Sequence, residues 1–168
     1  MFKFFPSIHK KNFSQKGFTL IELLIVVAIL AILLIVTLVA LRPAERLADA
    51  RDARRGVDVN QFLTGIHECV IDGDTDLTTC LVTHTVGDVY EIVASGTTTG
   101  CDDVCTSVTS DTHCLALDNT LSDYFIELPA DPGGVATGHT EYTVQVYSNG
   151  MTVIEACSAE NNTIKVSR

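Results

Sequence analysis

The hydrophobic pattern divides the chain into a long, almost wholly apolar run and a tail in which apolar and polar positions alternate. In the run, residues 18–41, the only polar residues are Thr19, Glu22 and Thr37. A helix of this length extends about 36 Å at ~1.5 Å per residue, which exceeds the ~30 Å hydrocarbon layer of a bilayer. The run is therefore predicted to be a membrane-spanning helix.

Beyond the run, the helical period continues for about eight turns and then gives way to strand-like alternation. Pro43 cannot donate a backbone hydrogen bond, so a helix kink is predicted there. Apolar residues at helical spacing extend the helix over residues 43–70. Strands are predicted at residues 79–85, 88–94, 141–147, 151–157 and 163–166, the third and fourth joined as a hairpin around Asn149-Gly150. Residues 115–125 are expected to include a short helix.

Charge predicts the orientation in the membrane and constrains the partners. Residues 1–17 contain four lysines and no acid, which places the N-terminus in the cytoplasm and the remainder on the exported side. Residues 42–58 hold five arginines against four acids, whereas residues 59–168 hold two basic residues against sixteen acids. The bulk charge argues against nucleic acid as a partner. The arginines of residues 42–58 are expected either to be solvated or to contact the acidic C-terminal parts of neighbouring copies.

The membrane-length run keeps one carboxylate, Glu22, close to its start. A secretory signal peptide is excluded because the run is too long and the small residue, Gly17, precedes it. An ionisable group inside a membrane is costly unless it pairs with another group, so a partner for Glu22 is expected. Cleavage after Gly17 would create an α-amino group four residues from Glu22, about one helical turn. If two such chains lie side by side, staggered by about one turn, the amino group of one could pair with the Glu22 carboxylate of the other.

The segment KGFTLIE, residues 16–22, resembles the processing and methylation signature of type IV pilins and pseudopilins. The resemblance implies that a prepilin peptidase removes the leader after Gly17, that Phe18 is N-methylated, and that Glu22 guides assembly. It also implies an α+β pilin fold, in which a long N-terminal helix packs on a small antiparallel β-sheet head with disulfide-stapled loops. The expected divisions are a cleaved leader (1–17), a transmembrane and filament-core helix (18–42), its amphipathic continuation (43–70) and a globular head (71–168).

The function implied by the resemblance is that of a prepilin, a structural subunit polymerised into an extracellular type IV pilus-like filament. Its expected partners are further copies of itself, the prepilin peptidase, an inner-membrane assembly platform and, before assembly, the membrane that it spans once. The alternatives are a type II secretion pseudopilin and a membrane-anchored binding or cation-sensing module that does not polymerise. Catalysis is not expected, because no catalytic motif is present and the histidines of the exported part are scattered. These histidines are His67, His84, His113 and His139.

Six cysteines lie in the exported part, where an even number predicts disulfides: Cys69, Cys80, Cys101, Cys105, Cys114 and Cys157. We expect Cys69 to pair with Cys80 around the helix end, and the sequence leaves the pairing of the other four cysteines open. Zinc is the alternative, although the cluster from residue 101 to 114 lacks a Cys-x2-Cys pair.

Three aspartates after the helix have the alternating spacing that begins a calcium loop: Asp72, Asp74 and Asp76. Leu77 and Thr83 stand where an EF-hand has its glycine and its bidentate glutamate, so a full EF-hand is excluded. A weak calcium or magnesium site and a solvated turn both remain, and no other cofactor is expected.

Overall fold

The computed structural model describes residues 17–73, 77–81 and 84–168. The chain forms two compact units, Met1–Pro43 and Ala44–Arg168. The first unit contains the apolar helix. The second contains the amphipathic helix, the described strands and the disulfides, and this unit is called the head below.

The apolar run forms helix α1, Leu20–Leu41, and Thr19 is its N-cap. At ~1.5 Å per residue, its 22 residues extend about 33 Å, enough to cross a hydrocarbon layer. One helical stretch among the described residues is long and apolar enough to span a membrane, and α1 is its apolar part. None of the residues of α1 is buried.

The helix is interrupted at Arg42, directly before the proline. Arg42 adopts the left-handed conformation, with φ 42° and ψ 61°, and Pro43 begins the next helix, α2, Pro43–Asp72. Proline lacks the N–H that would continue the hydrogen-bond ladder, and it pushes the preceding residue out of the right-handed helical region. The position of the interruption therefore follows from Pro43.

The C-terminal half of α2 supplies the helical side of the head's core. Val59, Phe62, Leu63 and Ile66 are buried at helical spacing. The Phe62 ring packs on Tyr142 of the sheet with ring centroids 5.4 Å apart. The amphipathic pattern in the sequence thus marks the face that packs on the head.

After α2, the described residues form two one-turn helices and five strands. The helices are α3, Leu77–Cys80, and α4, Cys101–Val104; the strands are β1, Val89–Val93, β2, Cys114–Ala116, β3, His139–Val146, β4, Thr152–Ala156, and β5, Ile164–Ser167. The strands form one sheet in the order β2-β1-β3-β4-β5. The predicted hairpin is present as β3 and β4, with Val146 opposite Thr152 and Gly150 at φ 83°.

The predicted antiparallel sheet is wrong in one respect, because the sheet is mixed. β2 pairs with β1 in parallel, with Ile92 opposite Leu115, whereas the other pairings are antiparallel. Residues 94–113, which include α4, carry the chain back before β2 begins. A parallel pair needs such a crossover.

Two local predictions are also wrong. A strand was expected at residues 79–85, but its described residues, 79–81 and 84–85, are not in a strand. Residues 79 and 80 belong instead to α3, and the Leu81 N–H donates to the Leu77 carbonyl at 2.9 Å. The disulfide from Cys80 to the end of α2 holds this turn against the helix. The helix expected at residues 115–125 is a strand followed by turns, because Leu115 pairs with β1 and is buried in the core.

Candidate functional site

The peptide bond between Gly17 and Phe18 lies outside regular structure. Residues 17–19 precede the helix, and Phe18 is 79% exposed. No described atom lies within 4 Å of a Cβ built on Gly17, so the described fold does not require glycine there. A residue without a side chain instead suits close approach to its backbone by another molecule.

Thr19 and Glu22 together start helix α1. The backbone N–H of Glu22 donates to Thr19 Oγ1 at 3.3 Å and to the Thr19 carbonyl at 3.2 Å. The spacing is that of the Thr-x-x-Glu helix start, and a carboxylate in the first turn interacts favourably with the helix dipole. The capping role of Thr19 was not predicted from the sequence, although the Thr-x-x-Glu spacing signals it. Among the described residues, none forms a hydrogen bond or ion pair with the Glu22 carboxylate.

The surface of α1 is apolar on all sides. Its large apolar side chains are between 48% and 83% exposed. Thr37 satisfies its hydroxyl locally by donating to the Leu34 carbonyl at 2.8 Å. An exposed apolar surface of this extent is typical of a helix that lipid or other protein molecules cover.

The six cysteines form three disulfides: Cys69–Cys80, Cys101–Cys114 and Cys105–Cys157. The first is the pair expected around the end of α2. The second and third join the loop around α4 to β2 and to the end of β4. The zinc alternative is therefore wrong for the oxidised chain, because all six sulfur atoms are in disulfides.

The candidate cation site is only partly described. Asp72 is the last residue of α2, and its carboxylate accepts a hydrogen bond from the Tyr124 hydroxyl at 3.3 Å. Asp74 and Asp76 lie outside the described residues. The calcium site remains a prediction.

Arg51 and Arg55 of α2 bind acidic residues of their own chain. Arg55 is buried and forms a bidentate pair with Asp131, at 2.5 and 2.8 Å, and further bonds to Asp52 at 2.7 Å and Glu160 at 3.1 Å. Arg51 forms a second bidentate pair with Glu160, at 2.5 and 2.6 Å. Both expectations, solvation and contact with neighbouring heads, are therefore wrong for Arg55.

This cluster changes the ionisation of its members. The pKa of Arg55 is raised, chiefly by its hydrogen bonds to Asp131. The hydrogen bonds from Arg51 and Arg55 lower the pKa of Glu160 to about 2. The cluster links α2 to the loop containing Asp131 and to the loop between β4 and β5, and so fastens three segments of the head together.

A second buried polar contact lies one turn along α2. Asp58 is buried and accepts hydrogen bonds from the Tyr142 hydroxyl at 2.9 Å and from Arg54 Nε at 3.3 Å. Burial and then the bond to Asp58 raise the pKa of Tyr142. Tyr142 thus joins the sheet to α2 through both its ring and its hydroxyl.

Comparison with known proteins identifies the N-terminal segment. A family model described as the prokaryotic N-terminal methylation motif matches residues 12–38. This motif is the type IV pilin and pseudopilin signature, so the resemblance drawn from residues 16–22 is confirmed. No curated protein and no solved structure matches the chain significantly.

The motif defines the class of protein. It supports a type IV pilin-like or pseudopilin precursor and points to a structural protein. In general, it implies processing by a prepilin peptidase and homopolymerisation. The long helix interrupted at Arg42, the mixed sheet and the disulfides are consistent with an α+β pilin fold.

Proposed function

We propose that this chain is a prepilin that is cut between Gly17 and Phe18, methylated on the new Phe18 amino group and polymerised into an extracellular type IV pilus-like filament. The observation that carries the proposal is the exposed Gly17–Phe18 bond placed directly before a capped apolar helix, within the matched methylation motif.

Assembly moves α1 from lipid into a bundle of neighbouring α1 helices. Its uniformly apolar surface suits both environments, so the transfer costs little in hydrophobic free energy. Glu22 gives the bundle its register, because its carboxylate pairs with the Phe18 amino group of an adjacent chain displaced by about one turn. Two opposite charges 4 Å apart attract by ~1 kcal/mol in water and by ~4 kcal/mol at an effective dielectric constant of ~20. The pair therefore acts strongly only once the bundle has excluded water.

The head is suited to exposure outside the cell. Its core is formed between α2 and the sheet of the same chain, and three disulfides connect its loops. An oxidising exterior preserves such bonds. The charged segment at the start of α2 is engaged within the head through Arg51 and Arg55, which leaves recognition of neighbouring copies to α1 and to other surfaces of the head.

The test is mass spectrometry of the intact protein and of its N-terminal peptide, recovered from sheared surface filaments and from membranes. The expected species in filaments begins with N-methylated Phe18. Glu22→Ala should remove the protein from the filament pool while the membrane pool persists. Thr37→Ala is the matched control, because it also replaces a polar side chain of α1, one whose hydroxyl is satisfied within its own helix.

The alternatives give different results. A pseudopilin would carry the same processed terminus but form no surface filament under native expression. An anchored module would retain Met1, stay in the membrane fraction and be indifferent to Glu22→Ala. Either result would refute the proposed filament.

A further inference from the structure

The sheet of the head carries an exposed aromatic side chain at one of its ends. Tyr147 follows β3 and closes the turn to β4, because its N–H donates to the Met151 carbonyl and its carbonyl accepts from the Gly150 N–H, both at 2.9 Å. Tyr147 is 39% exposed, and no described residue hydrogen-bonds to its hydroxyl. A tyrosine on such a fixed turn suits an interface anchor, because its ring loses little conformational entropy on docking.

A second apolar residue and a cation lie at the same end of the sheet. Val86 is 51% exposed and precedes the glycine whose N–H donates to the last residue of β3 at 2.8 Å. On the other side, Arg168 follows β5 and exchanges backbone hydrogen bonds with the first residue of β4, at 2.9 and 3.0 Å. Asp88 is the acid nearest in sequence to Val86, on the side away from Arg168. We call Tyr147, Val86 and Arg168 the knob.

A cleft of about 420 Å³ opens at the opposite end of the sheet, where β1 and β2 end and β3 begins. Its lining includes the apolar side chains of Leu128 and Val135 and the carboxylates of Asp118 and Glu127. One Asp118 oxygen accepts a hydrogen bond from the Ser95 N–H at 2.7 Å, whereas the other, Oδ1, is buried without a partner among the described residues. An unpaired buried acceptor is costly, so the cleft favours an occupant with an apolar body and a hydrogen-bond donor.

The knob cannot fill the cleft of its own chain. β3, His139–Val146, runs from the cleft to the knob, and its eight residues extend about 27 Å at ~3.4 Å each. That distance is several times the reach of a tyrosine side chain. A knob that occupies this cleft therefore comes from a second copy.

We propose that the knob of one copy docks in the cleft of the next, with the Tyr147 ring against the apolar walls and its hydroxyl donating to Asp118 Oδ1. The inference rests on the proposed function, because it describes a contact between heads of the polymer. The two surfaces are different and lie at opposite ends of the head. Such a heterologous contact leaves a free knob and a free cleft at each step, so it extends a filament rather than closing a dimer.

The chemistry of the knob also answers the charge of the heads. Residues 59–168 hold two basic residues against sixteen acids, so heads brought together repel one another. A phenol supplies a hydrogen-bond donor to Asp118 without adding negative charge. Arg168 adds a positive charge to the knob, which complements the carboxylates of the cleft, Asp118 and Glu127.

The test cross-links the full-length chain through Ser148→Cys combined with Thr137→Cys. Both positions are exposed, one beside Tyr147 and the other on the cleft, so the knob and the cleft stay intact. A short bismaleimide joins the new thiols and spares the native cysteines, which are all in disulfides. Sheared filaments and membranes are both treated. We expect a ladder of dimers, trimers and larger species on denaturing electrophoresis, with the link mapped by mass spectrometry to positions 137 and 148.

Matched variants show whether the knob and the cleft make the contact. Ser148→Cys with Ser167→Cys places both thiols at the same end of the sheet and should give no ladder. In the original cross-linking pair, Tyr147→Ser should reduce the ladder to the level of the single-cysteine variants, whereas Tyr147→Phe, which keeps the ring, should retain part of it. Val135→Asp should remove the ladder by placing a charge on an apolar wall. Asn162→Asp adds the same charge at an exposed position outside both surfaces and should leave it unchanged.

The outcomes separate this contact from the proposed filament. Filaments with methylated Phe18 but no ladder would refute the contact and leave the filament intact, whereas a ladder in membranes without filaments would do the reverse. Absence of both would refute both. A ladder that survives Tyr147→Ser and Val135→Asp, or a dimer formed by Ser148→Cys alone, would also overturn the contact. Circular dichroism checks the fold of each variant, and Tyr147→Ser decides if Val135→Asp fails to fold.

Discussion

Two glycines of α2 should respond to alanine in opposite directions. A Cβ built on Gly65 lies 2.4 Å from Cε2 and 2.6 Å from Cζ of Phe125, closer than real Cβ contacts. A Cβ built on Gly56 meets no described atom within 4 Å. Gly65→Ala should therefore destabilise the head relative to Gly56→Ala.

The difference between the two variants isolates the effect of the Phe125 ring. Replacing glycine by alanine inside a helix gains about 0.8–1 kcal/mol at both positions. At Gly65, the new methyl group must displace a ring that packs on Phe62 with centroids 5.7 Å apart. Overpacking of this kind costs about 1–3 kcal/mol. Gly56→Ala should thus stabilise the head by somewhat less than about 1 kcal/mol, and Gly65→Ala should lie about 1–3 kcal/mol below it.

The free energy of unfolding is measured by urea titration of the chain in detergent, followed by far-ultraviolet circular dichroism, because the chain has no tryptophan. Phe125→Leu in the Gly65→Ala background should recover part of the loss and give a non-zero coupling energy. If Gly65→Ala were as stable as Gly56→Ala, the close approach of the Phe125 ring to α2 would be refuted.

Three further predictions concern the charges and disulfides of the head. Arg55→Met should cost about 3–5 kcal/mol in urea unfolding, because it leaves the Asp131 carboxylate buried without its counter-charge, while removing both charges should cost less. Glu160 has its pKa lowered from 4.5 to about 2, so its stabilising contribution is complete above pH 4.5 and is lost as the pH falls towards 2; Glu160→Gln should flatten the stability profile over that window, and an unchanged profile would contradict the ion pairs. Replacing Cys69 and Cys80 by alanine should lower the free energy of unfolding by about 2–4 kcal/mol in the same urea titration.

The elements that the sequence predicts well are those whose determinants are local. The hairpin of β3 and β4 needs only two alternating runs and the turn at Asn149-Gly150, and α1 needs only an apolar run of sufficient length. β2 gave no comparable signal, because it has three residues and is specified by its parallel pairing with β1 across a twenty-residue crossover.

The functional residues likewise divide into those that are contiguous in the sequence and those that folding brings together. The processing segment is contiguous, so residues 17–22 could be interpreted from the sequence alone. The pairs of Arg55 with Asp131 and Glu160 could not, because these two partners lie 76 and 105 residues further along the chain. A helix carrying alternating charges looks the same in sequence whether its arginines face water or a buried aspartate. Only the folded head distinguishes the two cases.

In the proposed filament, the local environment of Glu22 favours a partner on another chain. In the first turn of α1, the helix dipole stabilises a carboxylate by about 0.3–1 kcal/mol. Near the membrane surface, this suffices, because water reaches the charge. In a bundle of apolar helices, water is excluded, and an unpaired buried ion costs several kcal/mol, more than the dipole returns. Within the described residues, the Glu22 carboxylate has no partner to make up the difference. If the chain polymerises as proposed, the bundle needs a cation at that depth, and the proposed cleavage before Phe18 would provide one as the new amino group.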